Sequence, residues 1–311
     1  MTFNSSAETF AGLPVVEFPA EGPLPAVTGP VAWRIADPEV EDDDEDQVSA
    51  EFTALLDRFV DQAGADTTAL VVGSWGYAAL NVAPIGHLCA LAPRLPRLRA
   101  LFLGDITFDE CEISWMKVGD VSPLLAAFPA LQVLWVRGGE DFRFSPVRHE
   151  RLRELVVQSG GLPRDFAAAV LASELPALTA LELWLGVSDY GGDITPPDLA
   201  PLLAGDLFPE LRRLGLRNAE IADQLAGAVA AAPVVQRLES LDLSLGTLGD
   251  QGAAALLAGR SLTHLRELDL HHHYMTAPVA ESVVAALPGV RVDVSERQQP
   301  RGSSRYTAVS E

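Results

Sequence analysis

A hydrophobic phrase recurs along the chain: an apolar anchor, two variable residues and then Leu-x-Leu, clearest in Leu265-Arg266-Glu267-Leu268-Asp269-Leu270. Aligned on Leu268, it returns at Leu70, Leu101, Leu134, Leu155, Leu181, Leu214 and Leu241, with a degenerate copy at Val292, at spacings of 21 to 33 residues. Successive side chains of a strand point to opposite faces, so Leu268 and Leu270 face a core while Glu267, Asp269 and His271 face away from it. Self-similarity at such a period marks a solenoid whose units each supply one strand and one covering element.

Helical segments fill the intervals. Ser122-Pro123 precedes LLAAF, Pro197-Asp198 precedes LAPLLAG, Asp223 and Asp250 each open an Ala-rich run, and Pro278 starts VAESVVAAL. Pro in the first turn and Ser or Asp at the cap suit the unpaired amides of a helix start. Leu95-Pro96, Phe128-Pro129, Leu175-Pro176, Phe208-Pro209 and Leu287-Pro288 end the segments, because Pro cannot continue a helix. The expected fold is α/β: a leucine-rich-repeat solenoid, horseshoe or arc, with parallel strands on its concave side and helices on its convex side.

Three parts are expected. Residues 1–69 form an N-terminal cap with short strands at Val15 to Phe18 and Val31 to Ile35, an acidic linker at Glu39 to Asp46, and a helix from Val48 whose Phe52, Leu55, Leu56 and Phe59 share one face. Residues 70–294 hold the repeats, and residues 295–311 read as a flexible polar tail.

Charge changes this picture most. The 22 Lys and Arg stand against 43 Asp and Glu, a net charge of −21. Such a surface repels phosphate backbones and anionic lipid, which excludes nucleic acid and favours a basic partner. Apolar runs stay short of the roughly 18 residues of a membrane span, and the start, MTFNSSAETF, lacks the features of a secretory leader. Cys89 and Cys111 lie outside any C-x-x-C pattern, which fits a reduced cytoplasm and neither a disulfide framework nor a cysteine zinc site.

Stretches such as LFLGDITFDECEISW, ELWLGVSDYGGD, LGLRNAEIAD and LDLSLGTL resemble an uncharacterised bacterial family of leucine-rich-repeat proteins, similar in architecture to ribonuclease inhibitor, over nearly the whole chain. The resemblance implies a cytoplasmic scaffold or binding protein that uses no cofactor and carries no assigned reaction. The Asn usual after the strand in such repeats is missing: Trp75, Ile106, Gly139, Gly160, Gly186, Ala219, Gly246 and His273 stand in its place.

Alternation sorts the outward positions into columns. One reads Val71, Phe102, Trp135, Val156, Glu182, Gly215, Asp242, Asp269; the next reads Gly73, Gly104, Arg137, Gln158, Trp184, Arg217, Ser244, His271. Aromatic and Arg side chains beside acids are the composition of a protein-binding surface. Trp75, Phe102, Trp135, Arg137, Trp184, Tyr190, Arg217, Asp242, Asp269 and His271 are therefore the candidate contacts for a protein or peptide partner. The competing arrangement has an inserted loop or the N-terminal segment folded over the aromatics. Gly-Asp-Ile-Thr occurs twice, at Gly104 to Thr107 and Gly192 to Thr195, in loops rich in acids and aromatics including Trp115. These are expected either to form one acidic, aromatic rim or to be capped turns.

Signatures of catalysis are absent: no phosphate loop, His-Glu-x-x-His or Gly-x-Ser-x-Gly occurs. The expected function is a non-enzymatic interaction scaffold. Its alternative is a metal-binding or metal-dependent hydrolytic protein using Asp242, Asp269 and His271, with His273 joining if the strand alternation persists.

Overall fold

The computed structural model describes residues 5–37 and 48–310, so the acidic run Glu39 to Asp46 lies outside the described residues. The chain divides into two compact units, residues 1–155 and 156–311.

The first unit contains β1 (Thr9–Phe10), β2 (Leu13–Glu17), β3 (Ala32–Ile35), β4 (Ala69–Val72), β5 (Ala100–Leu103) and β6 (Val133–Arg137). β1 turns back antiparallel on β2, and every later neighbour pair is parallel. The aligned Leu column is the strand register: Leu70 lies opposite Leu101, and Leu101 opposite Leu134. The column continues upstream, because Leu70 also lies opposite Trp33 and Trp33 opposite Val16. The N-terminal segment expected as a cap thus contributes further strands to the same sheet. Its helix, α1 (Ala50–Ala63), starts where Ser49 Oγ accepts the Phe52 amide at 3.1 Å, and it buries Phe52, Leu55, Leu56, Phe59 and Val60. Two shorter helices follow, α2 (Ile85–Leu91) and α3 (Ser122–Ala127).

A further strand, β7 (Glu154–Gln158), contains the division between the units. The second unit holds β8 (Ala180–Gly186), β9 (Arg213–Ala219), β10 (Ser240–Asp242), β11 (Glu267–Asp269) and β12 (Arg291–Asp293), parallel and in chain order, with Leu181, Leu214, Leu241, Leu268 and Val292 in one register. Five helices accompany them: α4 (Arg164–Leu171), α5 (Ala200–Ala204), α6 (Ala222–Ala231), α7 (Asp250–Ala258) and α8 (Ala277–Ala286). Strand Leu and helix Leu, Ala and Val meet in a continuous apolar layer, which is what a repeat must bury against its neighbours. The fold is an α/β leucine-rich-repeat solenoid. No described helix is long and apolar enough to cross a membrane.

One local device explains why the Asn ladder is dispensable here. Asn218, Leu245, His272 and Glu296, each the fourth residue after its strand's aligned Leu or Val, adopt left-handed backbone with φ of 54°, 66°, 55° and 57°. A side chain there costs roughly 1–2 kcal/mol, yet after the first three of these residues the chain returns to the interior, Ala219 being 1% exposed, Gly246 buried and His273 0% exposed, while Arg297 after Glu296 stays exposed. His273 then does the work of the missing Asn, since its Nε2–H donates to Val294 O of the next repeat at 2.9 Å and its Nδ1 accepts the Met275 amide at 3.0 Å.

The segment read from sequence as a flexible tail is docked on the same turns. Ala308 N–H donates to Leu245 O at 2.8 Å, Val309 N–H to Asn218 Oδ1 at 3.1 Å, and Arg305 Nη1 to Asp223 Oδ2 at 3.0 Å. Tyr306 N–H reaches the Tyr274 hydroxyl at 2.8 Å. The left-handed turns present polar groups outward, and the tail's backbone satisfies them.

Candidate functional site

In the first unit, the outward columns are largely apolar and most of their side chains are covered. Phe10, from β1, lies against Phe102 at 5.9 Å and edge-on to Trp135 at 5.4 Å between ring centroids, in a cluster with Ala32, Ala69, Val71 and Ala100. Phe102 is left 1% exposed. Trp75 is fully buried, its indole N–H donating to Asn81 O at 3.0 Å. Arg137 lies over the Phe102 ring at 5.2 Å and donates to Ile106 O at 2.9 Å; burial pulls its guanidinium down to about 10. Trp75, Phe102 and Arg137, expected as partner contacts, are therefore not presented to solvent. The reason is physical: an apolar column this long is covered when the chain has a segment able to reach it. Trp135 keeps partial exposure and donates its indole N–H to Glu154 Oε1 at 2.8 Å.

The two Gly-Asp-Ile-Thr segments belong to different units and occupy different places in their repeats. Gly104 follows β5 directly, whereas Gly192 comes after the 3-10 turn Ser188–Tyr190 beyond β8. Asp105 is 1% exposed and paired with Arg34, while Asp193 is an exposed partner of Arg164 at 2.9 Å. What they share is the end of the motif, where Thr107 is capped by Glu110 and Thr195 by Asp198 through both backbone and hydroxyl bonds. Tyr190 is half-buried.

The first of these loops does carry exposed aromatics. Phe108 is 46% and Trp115 53% exposed, with Asp109 exposed beside them. Tyr77, 37% exposed, stands on the neighbouring loop, which is joined to this one by Lys117 N–H to Ala78 O at 2.8 Å and Ala83 N–H to Lys117 O at 2.9 Å. Between them Cys111 is buried, and burial pushes its thiol up to about 12, far from a reactive thiolate. Tyr77 and Phe108 were not legible as contacts, because an isolated aromatic in an insertion reads equally as core.

The second unit presents a charged face. Arg217 donates Nη1 to Glu182 Oε1 at 3.0 Å, pairs through Nε with Asp242 Oδ2 at 3.1 Å and with Ser244 Oγ at 2.9 Å, and lies 5.2 Å from the Trp184 ring centroid. Trp184 is 1% exposed, its indole N–H held by Glu182 Oε1 at 2.6 Å, so it is a platform for Arg217 and not itself a contact. Asp242, Asp269 and Asp293 stand opposite one another on β10, β11 and β12. Each fixes one oxygen on the amide two residues later, Ser244, His271 and Ser295, at 2.8 to 3.0 Å. Like charges in register repel, and Arg217 beside Asp242 and His271 beside Asp269 relieve this. Burial pushes the Asp242 carboxyl up to about 6 against the pull of Arg217. His271 Nδ1–H donates to Asp269 Oδ1 at 2.7 Å, a bond that raises the imidazole pKa; Asp269 is held low despite burial by the same bond.

The three consecutive His do three different things. His271 faces outward, His272 makes the left-handed turn, and His273 is inside with both ring nitrogens bonded. The strand alternation does not persist past His271, so His273 is no companion ligand. The donor atoms that do converge within 4.8 Å belong to Asp269, His271 and Asp293. Asp242 is instead engaged by Arg217.

No protein-family model matches the chain, and no curated protein is significantly similar to it. Among solved structures, a structural-genomics protein from Bacteroides fragilis is similar over 83% of this chain and 73% of its own, at 29% identity and a TM-score of 0.77. A Leptospira interrogans LRR protein aligns over 79% of this chain and 86% of its own, at 14% identity and a TM-score of 0.21, too slight a likeness to bear on the fold. The Bacteroides protein and this chain share an α/β repeat architecture.

Proposed function

We propose that the protein is a non-enzymatic interaction scaffold that binds a basic protein or peptide. The observation that carries this reading is the presence of Tyr77, Phe108 and Trp115, all exposed, on two loops hydrogen-bonded to each other and bordered by Asp109. Large aromatics left in water on an ordered surface are the residues that dominate binding energy, and adjacent acids select a cationic partner. The charged face around Arg217, Asp242, Asp269 and His271 offers a second set of contacts, with fixed outward carboxylates. Affinity purification from the native host, compared between wild type and Phe108→Ala/Trp115→Ala, tests the reading. A partner recovered equally by both proteins removes the loop surface from it.

The metal-binding alternative rests on the convergence of Asp269, His271 and Asp293. It competes with the bond that already satisfies His271 on Asp269, and calorimetry with zinc and manganese that gives no heat of binding eliminates it.

A further inference from the structure

On the apolar columns of the first unit the N-terminal segment lays one buried aromatic side chain, Phe10, with Ala7, Leu13 and Val15 packed beside it. Phe10 is 2% exposed, while Glu8, Thr9, Ala11 and Gly12 around it are exposed. It arrives on a two-residue strand whose turn, Ala11-Gly12, is left-handed at both positions, with φ of 50° and 75°. Beyond the β1 ladder the segment has two further backbone ties. The Ala7 amide donates to both oxygens of Asp105 at 3.2 Å, and Glu8 O accepts the Val15 amide at 2.9 Å. Buried anchor, exposed flanks and a backbone amide gripped by a carboxylate are the attachments of a short peptide in a groove.

The receiving side is built without the segment's help. Phe102, Val71, Ala69 and Ala100 come from β4 and β5, Trp135 from β6, and Asp105 is oriented by Arg34 Nε at 2.8 Å and by Arg34 Nη2 on its own carbonyl at 2.9 Å. Arg34 is in turn held by Glu17 at 3.1 Å. The carboxylate that grips the Ala7 amide is thus oriented by residues outside the segment.

We infer that this sheet face is an aromatic-accepting peptide groove that residues 5–12 occupy in cis, and that its partner is an extended segment presenting an aromatic side chain in place of Phe10. The groove is built from the sheet face and Asp105 and does not use the exposed side chains of Tyr77, Phe108 and Trp115.

Full-length Phe10→Ala is mixed with a labelled peptide of residues 5–12, SSAETFAG, and with the same peptide carrying Ala at the Phe position. The Phe peptide binds the variant at least about tenfold more tightly than it binds wild type, whose groove is filled, and the Ala peptide binds neither. A folded, cooperatively unfolding variant that takes up no Phe peptide overturns the inference. Hydrogen exchange on the wild type needs no variant to fold. Amides of residues 7–15 exchanging at least about tenfold faster than those of β4 and β5 support a displaceable segment, and exchange only through global unfolding overturns it. A wild-type dimer that dissociates in Phe10→Ala makes the occupant a second copy and overturns the assignment of a partner.

Discussion

Arg34 Nε donates to Asp105 Oδ2 at 2.8 Å with side-chain exposures of only 8% and 2%. A pair so far from water is not strong evidence of net stabilisation, but removing Asp105 takes the acceptor from the buried Arg34 Nε and leaves Glu17 as its remaining carboxylate. Asp105→Ala is expected to cost about 1–3 kcal/mol and to loosen the Ala7 end of the N-terminal segment. Urea unfolding followed by circular dichroism measures the cost; a midpoint equal to wild type would show that water reaches Arg34.

Asp242 gives the second unit a pH dependence of known sign. With its carboxyl pushed up to about 6, the native state holds a proton between about pH 4 and 6 that the unfolded chain has released. The stability this proton supports is present below the unfolded pKa and is lost as pH rises through the folded value. Asp242→Asn mimics the protonated form, so the stability of the variant relative to wild type is expected to increase from pH 4 to pH 6.5. A pH-independent difference between the two would show that Asp242 titrates normally.

His271 and His273 separate surface from interior within one tripeptide. His273→Ala removes a fully buried ring that bridges Met275 and Val294, and should cost about 2–4 kcal/mol. His271→Ala should cost less than about 1 kcal/mol, since its ion pair is partly hydrated. Thermal unfolding of the two variants side by side decides the order.

Trp115→Ala and Phe108→Ala are expected to leave stability within about 0.5 kcal/mol, as exposed side chains do, while each lowers partner affinity at least about tenfold. Surface plasmon resonance with the purified partner distinguishes this from a change in folding.

The Leu register could be read from sequence because period-two alternation and a recurring strand core are local signals. Val16 and Trp33 occupy the same register but escaped a Leu-based alignment, which is why the sheet begins two parallel strands earlier than the phrase suggests. Strand pairing keeps Val71, Phe102 and Trp135 in one register, and Glu182, Gly215, Asp242 and Asp269 in one register; the left-handed His272 then inverts the alternation, and no pattern of apolar residues announces a positive φ at a non-glycine position. Phe10 on Phe102 and the tail on Asn218 join residues about 90 apart, a separation at which chain order carries no information about pairing. Composition named the aromatics; which of them water reaches was decided by those distant covers.

β12 ends the parallel series of the second unit, and the residues on its outward face, Arg291 and Asp293, are charged. Its Val292 nevertheless continues the core register of Leu268. Charge at these positions discourages a stray edge from pairing with the strand, even though its register matches that of the core strands before it.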